Sequence, residues 1–267
     1  MSAARVPEVL FPGCRDNPPD GIAAEEWAKC LDTFASACTH RAALLRYFGS
    51  VTHVPFGVRG GSSSASVLSV LPSDPGLEMD VVRLLADRLE TVSYTIVTDD
   101  SRFDELVPLL SSGSFKGKVQ AHVLPAGHLF GASFGAGSPL DAQKFDCVLL
   151  LTGCASSHGA EDVLERCISL LSPAGNLVAV EHSPASLVRV RERLLAGLAS
   201  KGGASVTVHT SALTKHLLTE RKVPFVEDVV DAHVDVTACF QRTVAGMRLL
   251  SAILAKDVAK LAATHRA

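Results

Sequence analysis

Residues 66–89 read SVLSVLPSDPGLEMDVVRLLADRL and predict a strand, a turn and a helix in immediate succession. The first few positions form a short apolar run of β-forming residues, which is typical of a buried strand. From position 79 onward the apolar residues recur at helical spacing. They are Met79, Val82, Leu85, Ala86 and Leu89. The segment therefore has the form of the first strand–turn–helix unit of a doubly wound α/β domain.

The turn of this unit, residues 71–76 with the sequence LPSDPG, departs from the usual pattern. A cofactor-binding α/β protein usually carries glycines here, because any side chain would block the approach of the backbone to the ligand. Pro72 instead removes an N–H donor and fixes φ, and Leu71 adds a branched side chain. Two interpretations follow. Either Gly76 still provides a close approach to a cofactor, or Leu71 or Pro72 fills that space and no cofactor binds.

Composition limits the classes of function. The chain has 267 residues, 47% of them hydrophobic and 5% aromatic, and a net charge of −3. This composition suits one large domain and indicates no nucleic-acid-binding surface. No apolar run approaches the roughly 20 residues of a membrane span. We predict a flexible tail over 1–22 and a single domain over 23–267, with a helical lid over 23–60.

The cysteines and histidines indicate neither disulfides nor a metal. Seven cysteines form no C-x-x-C pair, and several lie inside apolar runs, where a thiol behaves as a small hydrophobic group. The histidines show no metal-ligand spacing. We therefore expect a reduced, cytoplasmic protein without a metal.

Strand and helix patterns alternate after the first unit. Strands are predicted at 91–99, 118–124, 145–152 and 177–181, and helices at 102–110, 160–171, 185–200, 211–221 and 243–263. Such alternation predicts an α/β, doubly wound, mostly parallel Rossmann-like sheet. The strand-like runs at 225–231 and 234–240 predict an antiparallel last strand at one edge. That feature is typical of class I S-adenosylmethionine-dependent methyltransferases.

Several segments together resemble the histamine N-methyltransferase family. They are FASACTH at 34–40, VLSV at 67–70, the pattern G-x-E-M-D at 76–80, VTDDS at 97–101, FDCVLLL at 145–151 and VDVTACF at 234–240. Each segment is weakly specific, but their order and spacing favour the family. The resemblance runs from about residue 27 to residue 240. It implies S-adenosylmethionine as cofactor and a small-molecule methyl acceptor.

The resemblance also assigns candidate cofactor-binding residues. They are Ser69, Gly76, Glu78, Asp99, Ser101 and Leu151. Asp99 stands at the end of the second strand, where an acid normally accepts hydrogen bonds from both ribose hydroxyls. A solvated turn is the alternative interpretation of its surroundings, because Asp-Asp-Ser is common in turns.

Two further residues are candidates for the acceptor side of the reaction. His40 occupies the position of a family glutamate that recognises a cationic amine, and Thr152 that of a glutamine that touches the substrate ring. The resemblance implies methylation of an amine or imidazole-type acceptor. His40 could equally be a partly exposed helix residue. The main alternative function is a catalytically silent relative that binds a small molecule or a protein partner. A nicotinamide oxidoreductase is disfavoured, because no G-x-G-x-x-G remains.

Overall fold

The computed structural model describes residues 18–19, 21–50, 63–72, 74–130, 138–151, 159–184, 186–187, 190–191, 193, 210–241 and 243–260. The chain divides into two compact units. We call Leu44–Glu181 with His209–Val226 the sheet unit, and Met1–Ala43, His182–Val208 and Glu227–Ala267 the helical unit. The predicted tail lies almost wholly outside the described residues. The single domain over 23–267 and its lid over 23–60 stay predictions.

The described strands and helices follow one another as expected for an α/β chain. In order they are α1 (Ala24–Ala37), α2 (His40–Ser50), β1 (Ser64–Val70), α3 (Pro75–Ala86), β2 (Thr91–Val97), α4 (Leu106–Leu110), β3 (Val119–Leu124), α5 (Gly127–Phe130), β4 (Phe145–Leu150), α6 (Ala160–Ser169), β5 (Leu171–Ala179), α7 (Ser211–Glu220), α8 (Thr237–Phe240) and α9 (Val244–Leu254). Short 3₁₀ turns lie at Ser101–Phe103 and Gly113–Phe115.

The sheet unit contains one parallel sheet with the strand order β3-β2-β1-β4-β5. β1 pairs with β2 along its whole length, from Ser64 opposite Thr91 to Val70 opposite Val97. On its other side β1 pairs with β4, and β4 pairs with β5. This order confirms the predicted doubly wound, Rossmann-like sheet.

The central strands are apolar because both faces of the sheet are covered. In β1 and β2 the first residue is exposed and the last four are buried, and most of β4 is buried. Leu68, Ile96 and Leu149 have no exposed surface. Burying each such side chain stabilises the fold by about 1.5–3 kcal/mol. A strand buried on both faces reads as a continuous apolar run, which is the pattern that the sequence shows.

The helical unit is built on the packing of α1 against α9. Trp27 and Phe34 of α1 and Leu249 and Ile253 of α9 belong to one buried cluster. At its border Arg248 donates from Nε to Glu26 Oε1 at 2.7 Å and from Nη2 to Oε2 at 3.2 Å. Apolar residues at three- and four-residue spacing in α1 therefore do face a core, as the periodicity predicts.

The antiparallel edge strand is not found in the described part of the chain, which corrects that prediction. Val234 forms an isolated antiparallel bridge with Cys38, at the break between α1 and α2. The Thr237 N–H donates to Asp235 Oδ1 at 2.9 Å, and residues 237–240 then form α8. This local hydrogen bond of Asp235 to the backbone favours a turn and the start of a helix over the alternating pattern. Residues 225–231 contain no regular element.

Smaller differences concern the ends of elements. β1 begins at Ser64, before the quoted stretch that starts at residue 66, and β5 lies at Leu171–Ala179 rather than at 177–181. α9 ends at Leu254, where Ala255 takes a left-handed φ of 49°. The predicted helix at 185–200 lies mostly outside the described residues. Within the described ranges, none of the helices combines the length and the apolar character needed to cross a membrane.

Candidate cofactor site

The strand order places the topological switch point of the sheet between β1 and β4. In this order the chain winds in opposite directions from β1, toward β2 on one side and β4 on the other. Ligands of doubly wound sheets bind at such a switch point, outside the carboxyl ends of the strands. The six predicted cofactor-binding residues all belong to the sheet unit, whereas His40 belongs to the helical unit. Thr152 lies outside the described residues.

In the turn after β1, a leucine adopts the left-handed backbone conformation that glycine usually adopts. Leu71 has a φ of 49°, in the left-handed region, and its N–H donates to the Val97 carbonyl oxygen at 2.9 Å. For a residue with a Cβ this conformation costs roughly 1–2 kcal/mol. The Leu71 side chain packs against the core cluster of the sheet, and Pro72 is buried. The end of β1 is therefore held both by backbone pairing and by apolar packing.

Gly76 lies in the first turn of α3 rather than in the loop. Its N–H donates to Asp74 Oδ1 at 2.9 Å, and Pro75 occupies the first helical position. Asp74 is thus a side-chain N-cap, and proline suits the position that follows it. The carboxylate already satisfies an N–H group that a helix start would otherwise offer to an anionic ligand. A contact between Gly76 and a cofactor stays a prediction.

Ser69 and Glu78 form a buried cluster with Tyr94. Ser69 Oγ donates to Glu78 Oε1 at 2.9 Å, and the Tyr94 hydroxyl donates to Glu78 Oε2. Glu78 is 1% exposed, and Ser69 and Tyr94 have no exposed surface. Burial raises the pKa of Glu78 to about 7, although the hydrogen bonds from Tyr94 and Ser69 oppose this shift. Burial also raises the pKa of Tyr94.

The sequence contained a signal for this cluster in Glu78, which lies one residue before the helical pattern predicted at 79–89. Glu78 lies four residues before Val82 and seven before Leu85, so it falls on the apolar face of α3. An acid on a buried face needs polar partners from the neighbouring strands. Tyr94 was not among the predicted site residues. Direct contact of Ser69 and Glu78 with a cofactor stays a prediction, because in this structure both side chains are engaged with each other.

The end of β2 is more open. Asp99 is exposed, and its Oδ1 accepts a hydrogen bond from the Ala126 N–H at 2.9 Å. Among the described residues, no hydrogen bond reaches its Oδ2. The next acid, Asp100, instead binds the Arg102 side chain, with Nε 2.9 Å from Oδ1. Ser101 is exposed at the start of the 3₁₀ turn. Asp99 is thus an exposed acid at this strand end with one carboxylate oxygen that accepts no hydrogen bond from the described residues.

Leu151 and Glu181 lie after the neighbouring strands. Leu151, directly after β4, is 1% exposed. Glu181, which follows β5, accepts a hydrogen bond from Thr214 Oγ1 of α7 at 3.1 Å. This carboxylate therefore fixes α7 to the end of β5. Across the described ranges, no group of three or more His, Cys, Asp or Glu side chains is placed to hold a metal ion.

His40 opens α2 in the helical unit. It is half-buried, and its backbone N–H lies 3.4 Å from Cys38 Sγ. Burial lowers the pKa of His182 to about 4, and the charge of His40 lowers it further in the same direction. His182 is therefore neutral at physiological pH. A role of His40 in acceptor binding stays a prediction.

Three solved structures are similar to this chain. An O-methyltransferase family 2 protein from Planctomyces limnophilus, in complex with apigenin, is 11% identical with a TM-score of 0.49, over 80% of this chain and 65% of that chain. An O-methyltransferase family protein from Burkholderia thailandensis is 14% identical with a TM-score of 0.45, over 81% and 56%. A SAM-dependent methyltransferase from Thiobacillus denitrificans, in complex with S-adenosyl-L-homocysteine, is 13% identical with a TM-score of 0.38, over 84% of each chain.

These similarities are low in identity, and the chain spans less than two thirds of the first two structures. No protein-family model and no curated protein matches the chain. The fold therefore follows from the strand order of the sheet itself. The similarities identify neither the cofactor nor the substrate of this chain.

Proposed function

We propose that this protein binds S-adenosylmethionine at the carboxyl ends of β1 and β2 and methylates a small molecule. The observation that supports this proposal is the exposed Asp99 carboxylate. It follows the strand next to the switch point, and one of its oxygens is held by the Ala126 N–H at 2.9 Å. The fixed oxygen orients the carboxylate, and the other oxygen can accept hydrogen bonds from a ribose diol.

The residues present fit one end of this cofactor better than the other. Asp99 suits the ribose, and the apolar Leu151 suits a position beside the adenine. At the methionine end, Pro72 is buried and the Gly76 N–H is engaged by Asp74. An amino-acid carboxylate bound there would lie near the Asp74 carboxylate, and like charges repel. We therefore expect the ribose contact to contribute more to affinity than the first turn does.

Methyl transfer requires little from the protein beyond the positioning of the acceptor nitrogen and the methyl group. When bound, S-adenosylmethionine supplies a sulfonium methyl group: the new N–CH₃ bond forms as the S–CH₃ bond breaks, and the amine releases a proton. The acceptor nitrogen must be neutral and aligned with the breaking bond. Alignment alone supplies up to about 7–11 kcal/mol in the best intramolecular models. The resemblance to histamine N-methyltransferases favours an amine or imidazole-type acceptor, with His40 and Thr152 on the acceptor side.

One observation favours a second function, that of a catalytically silent relative. Leu71 packs against the core cluster and Pro72 is buried at the place where glycines usually admit the cofactor. A turn closed in this way would leave the fold intact and exclude the methionine moiety. Such a protein would bind a different small molecule or a protein partner.

Calorimetric titration with S-adenosylmethionine and S-adenosylhomocysteine distinguishes the two functions. We expect micromolar binding to the wild type and at least a tenfold loss in Asp99→Ala, because hydrogen bonds to charged groups contribute about 1.5–3 kcal/mol each. Asp104→Ala is the matched control, because this exposed acid lies in the same segment. We expect its affinity to stay within about twofold of the wild type.

Two outcomes would contradict the proposal. Unchanged affinity in Asp99→Ala would reject the ribose assignment. If a well-folded wild type binds neither compound, the methyltransferase function is rejected and the silent relative is supported.

A further inference from the structure

The Glu78 carboxyl connects three elements beneath the first turn. Glu78 belongs to the first turns of α3, Ser69 to β1 and Tyr94 to β2. Ser69 Oγ lies 2.9 Å from one carboxyl oxygen, and the Tyr94 hydroxyl binds the other. Because Glu78 is 1% exposed, it does not reach a ligand in the crevice in this structure. Its contacts are instead to the elements that carry the turn.

Backbone contacts constrain the conformation of the turn at both of its ends. Leu71 begins it with a left-handed φ of 49° and a 2.9 Å hydrogen bond to Val97. Asp74 ends it by capping α3, and the Glu78 N–H donates to the Asp74 carbonyl oxygen at 3.1 Å. A left-handed leucine persists only where its surroundings enforce that conformation. The Ser69–Glu78 hydrogen bond joins the two ends of the turn and so contributes to that enforcement.

We propose that Glu78 is a positioning residue of the turn after β1: it fixes the start of α3 against β1 and β2, and it acts on a ligand through Leu71, Pro72 and Asp74 rather than by direct contact. The proposal rests on the proposed function for its ligand. Its structural part can be tested without a ligand. A residue that contacts the cofactor directly would not influence the backbone of the free protein in this way.

The ionisation of Glu78 gives the proposal a second readout. The polar groups that face it are Ser69 on β1, Tyr94 on β2 and the Asp74 carboxylate in the turn, and Cys147 on β4 faces Tyr94. None of these is a cation. With its pKa raised to about 7, Glu78 is neutral at pH 6 and ionised at pH 8. Above pH 7 it repels Asp74, so we expect a looser turn and weaker cofactor binding.

The first experiment uses the protein without a ligand. Amide hydrogen exchange is measured for Ser69→Ala, Tyr94→Phe and Glu78→Gln, with Ser66→Ala on the same strand as the control. We expect the Leu71 amide to exchange about tenfold faster in Ser69→Ala and Tyr94→Phe, because local opening becomes easier. The Ala121 amide of β3 should stay within twofold of its wild-type rate, and Ser66→Ala should change neither amide.

The second experiment measures S-adenosylhomocysteine affinity at pH 6 and pH 8. We expect about a fivefold loss in Tyr94→Phe, although the Tyr94 side chain has no exposed surface. The wild type should lose about threefold in affinity between pH 6 and pH 8, whereas Glu78→Gln should lose less than about 1.5-fold. Glutamine keeps the shape of the neutral acid and cannot ionise. This variant therefore separates the effect of charge on affinity from the effect of packing.

The outcomes decide the two proposals separately. Unchanged exchange of Leu71, or an equal increase at Leu71 and Ala121, would overturn the positioning role. A pH profile of Glu78→Gln that matches the wild type would overturn it as well. Failure of the wild type to bind would reject the proposed function alone, because the exchange experiment still decides whether Glu78 fixes the turn.

Discussion

The ends of β1 and β2 each carry an acid that the sequence associates with a cofactor, but the two acids have opposite surroundings. Glu78, which follows β1, is buried and accepts hydrogen bonds from two hydroxyl groups. Asp99, which follows β2, is exposed, and one of its oxygens is held by a backbone N–H. The two strand ends are adjacent, because the Leu71 N–H donates to Val97. One acid is thus engaged with its own fold, and the other is the one that we propose contacts the cofactor.

This difference shows that position in the sequence alone does not distinguish the surroundings of two carboxylates. Both acids come after a strand of the sheet, Asp99 in the connection directly after β2 and Glu78 in the first turn of α3, which follows β1. What separates them is the element to which each belongs. Glu78 sits on the inner face of a helix that packs on the sheet, whereas Asp99 sits in the short connection before a 3₁₀ turn. Substitutions at the two sites should therefore differ in their effects on stability.

The largest effect is expected from Glu78→Ala. It removes the carboxyl that accepts hydrogen bonds from the buried hydroxyls of Ser69 and Tyr94. A buried polar group that loses its partner costs about 1–3 kcal/mol. We expect the free energy of unfolding to fall by roughly 4 kcal/mol at pH 6, measured by urea denaturation. Glu90→Ala, at an exposed acid, is the control and should change it by less than about 0.5 kcal/mol. A loss below 1 kcal/mol in Glu78→Ala would contradict the buried cluster.

The second effect concerns pH. The ordinary pKa of 4.5 applies to Glu78 in the unfolded chain, and burial raises it to about 7 in the folded protein. The folded state therefore keeps a proton that the unfolded chain loses between pH 4.5 and 7. Stability from this proton is complete below pH 4.5 and is lost as pH rises through 7.

Relative to Glu78→Gln, the wild type should thus lose up to about 3 kcal/mol of unfolding free energy between pH 4.5 and 7.5. Denaturation curves of both proteins across this range measure the difference. A constant difference would mean that Glu78 keeps its ordinary pKa.

A smaller effect is expected at the start of α3. Asp74→Ala removes the side-chain cap on Gly76 and should cost about 1 kcal/mol of unfolding free energy. Asp74→Ser keeps a capping oxygen and should recover most of this loss, which thermal denaturation would show. If Ala and Ser behave alike, the Asp74–Gly76 hydrogen bond does not stabilise the helix start.

The smallest effect on stability is expected from Asp99→Ala. Among the described residues its carboxylate accepts one hydrogen bond, which comes from the Ala126 N–H and is partly buried, while Asp99 itself is exposed. The loss of unfolding free energy should therefore be at most about 1 kcal/mol. The comparison of the two strand ends predicts this weak effect on unfolding together with a strong effect on cofactor affinity. A large destabilisation would instead assign Asp99 a structural role like that of Glu78.

The sequence alone was sufficient for the central sheet and for the helices that cover it. β1 and β4 are continuous apolar runs, which are typical of strands buried on both faces. In α1 and α3 the apolar residues recur at three- and four-residue spacing, which places them on one face of a helix. These local patterns predict the four elements. The turn chemistry of residues 71–76 likewise indicated a departure from a glycine-rich loop. It did not reveal that Leu71 would keep the left-handed conformation of a glycine.

Only the tertiary structure decided the parts that depend on distant partners. Residues 234–240 alternate like a strand. In the structure Val234 instead pairs with Cys38, and Asp235 accepts a hydrogen bond from the Thr237 N–H directly before a short helix. In the same way, Glu78 is a supporting acid because Ser69 and Tyr94 approach it from two strands. A side chain's burial and pKa depend on neighbours that are far away in sequence, whereas local periodicity depends on the segment alone.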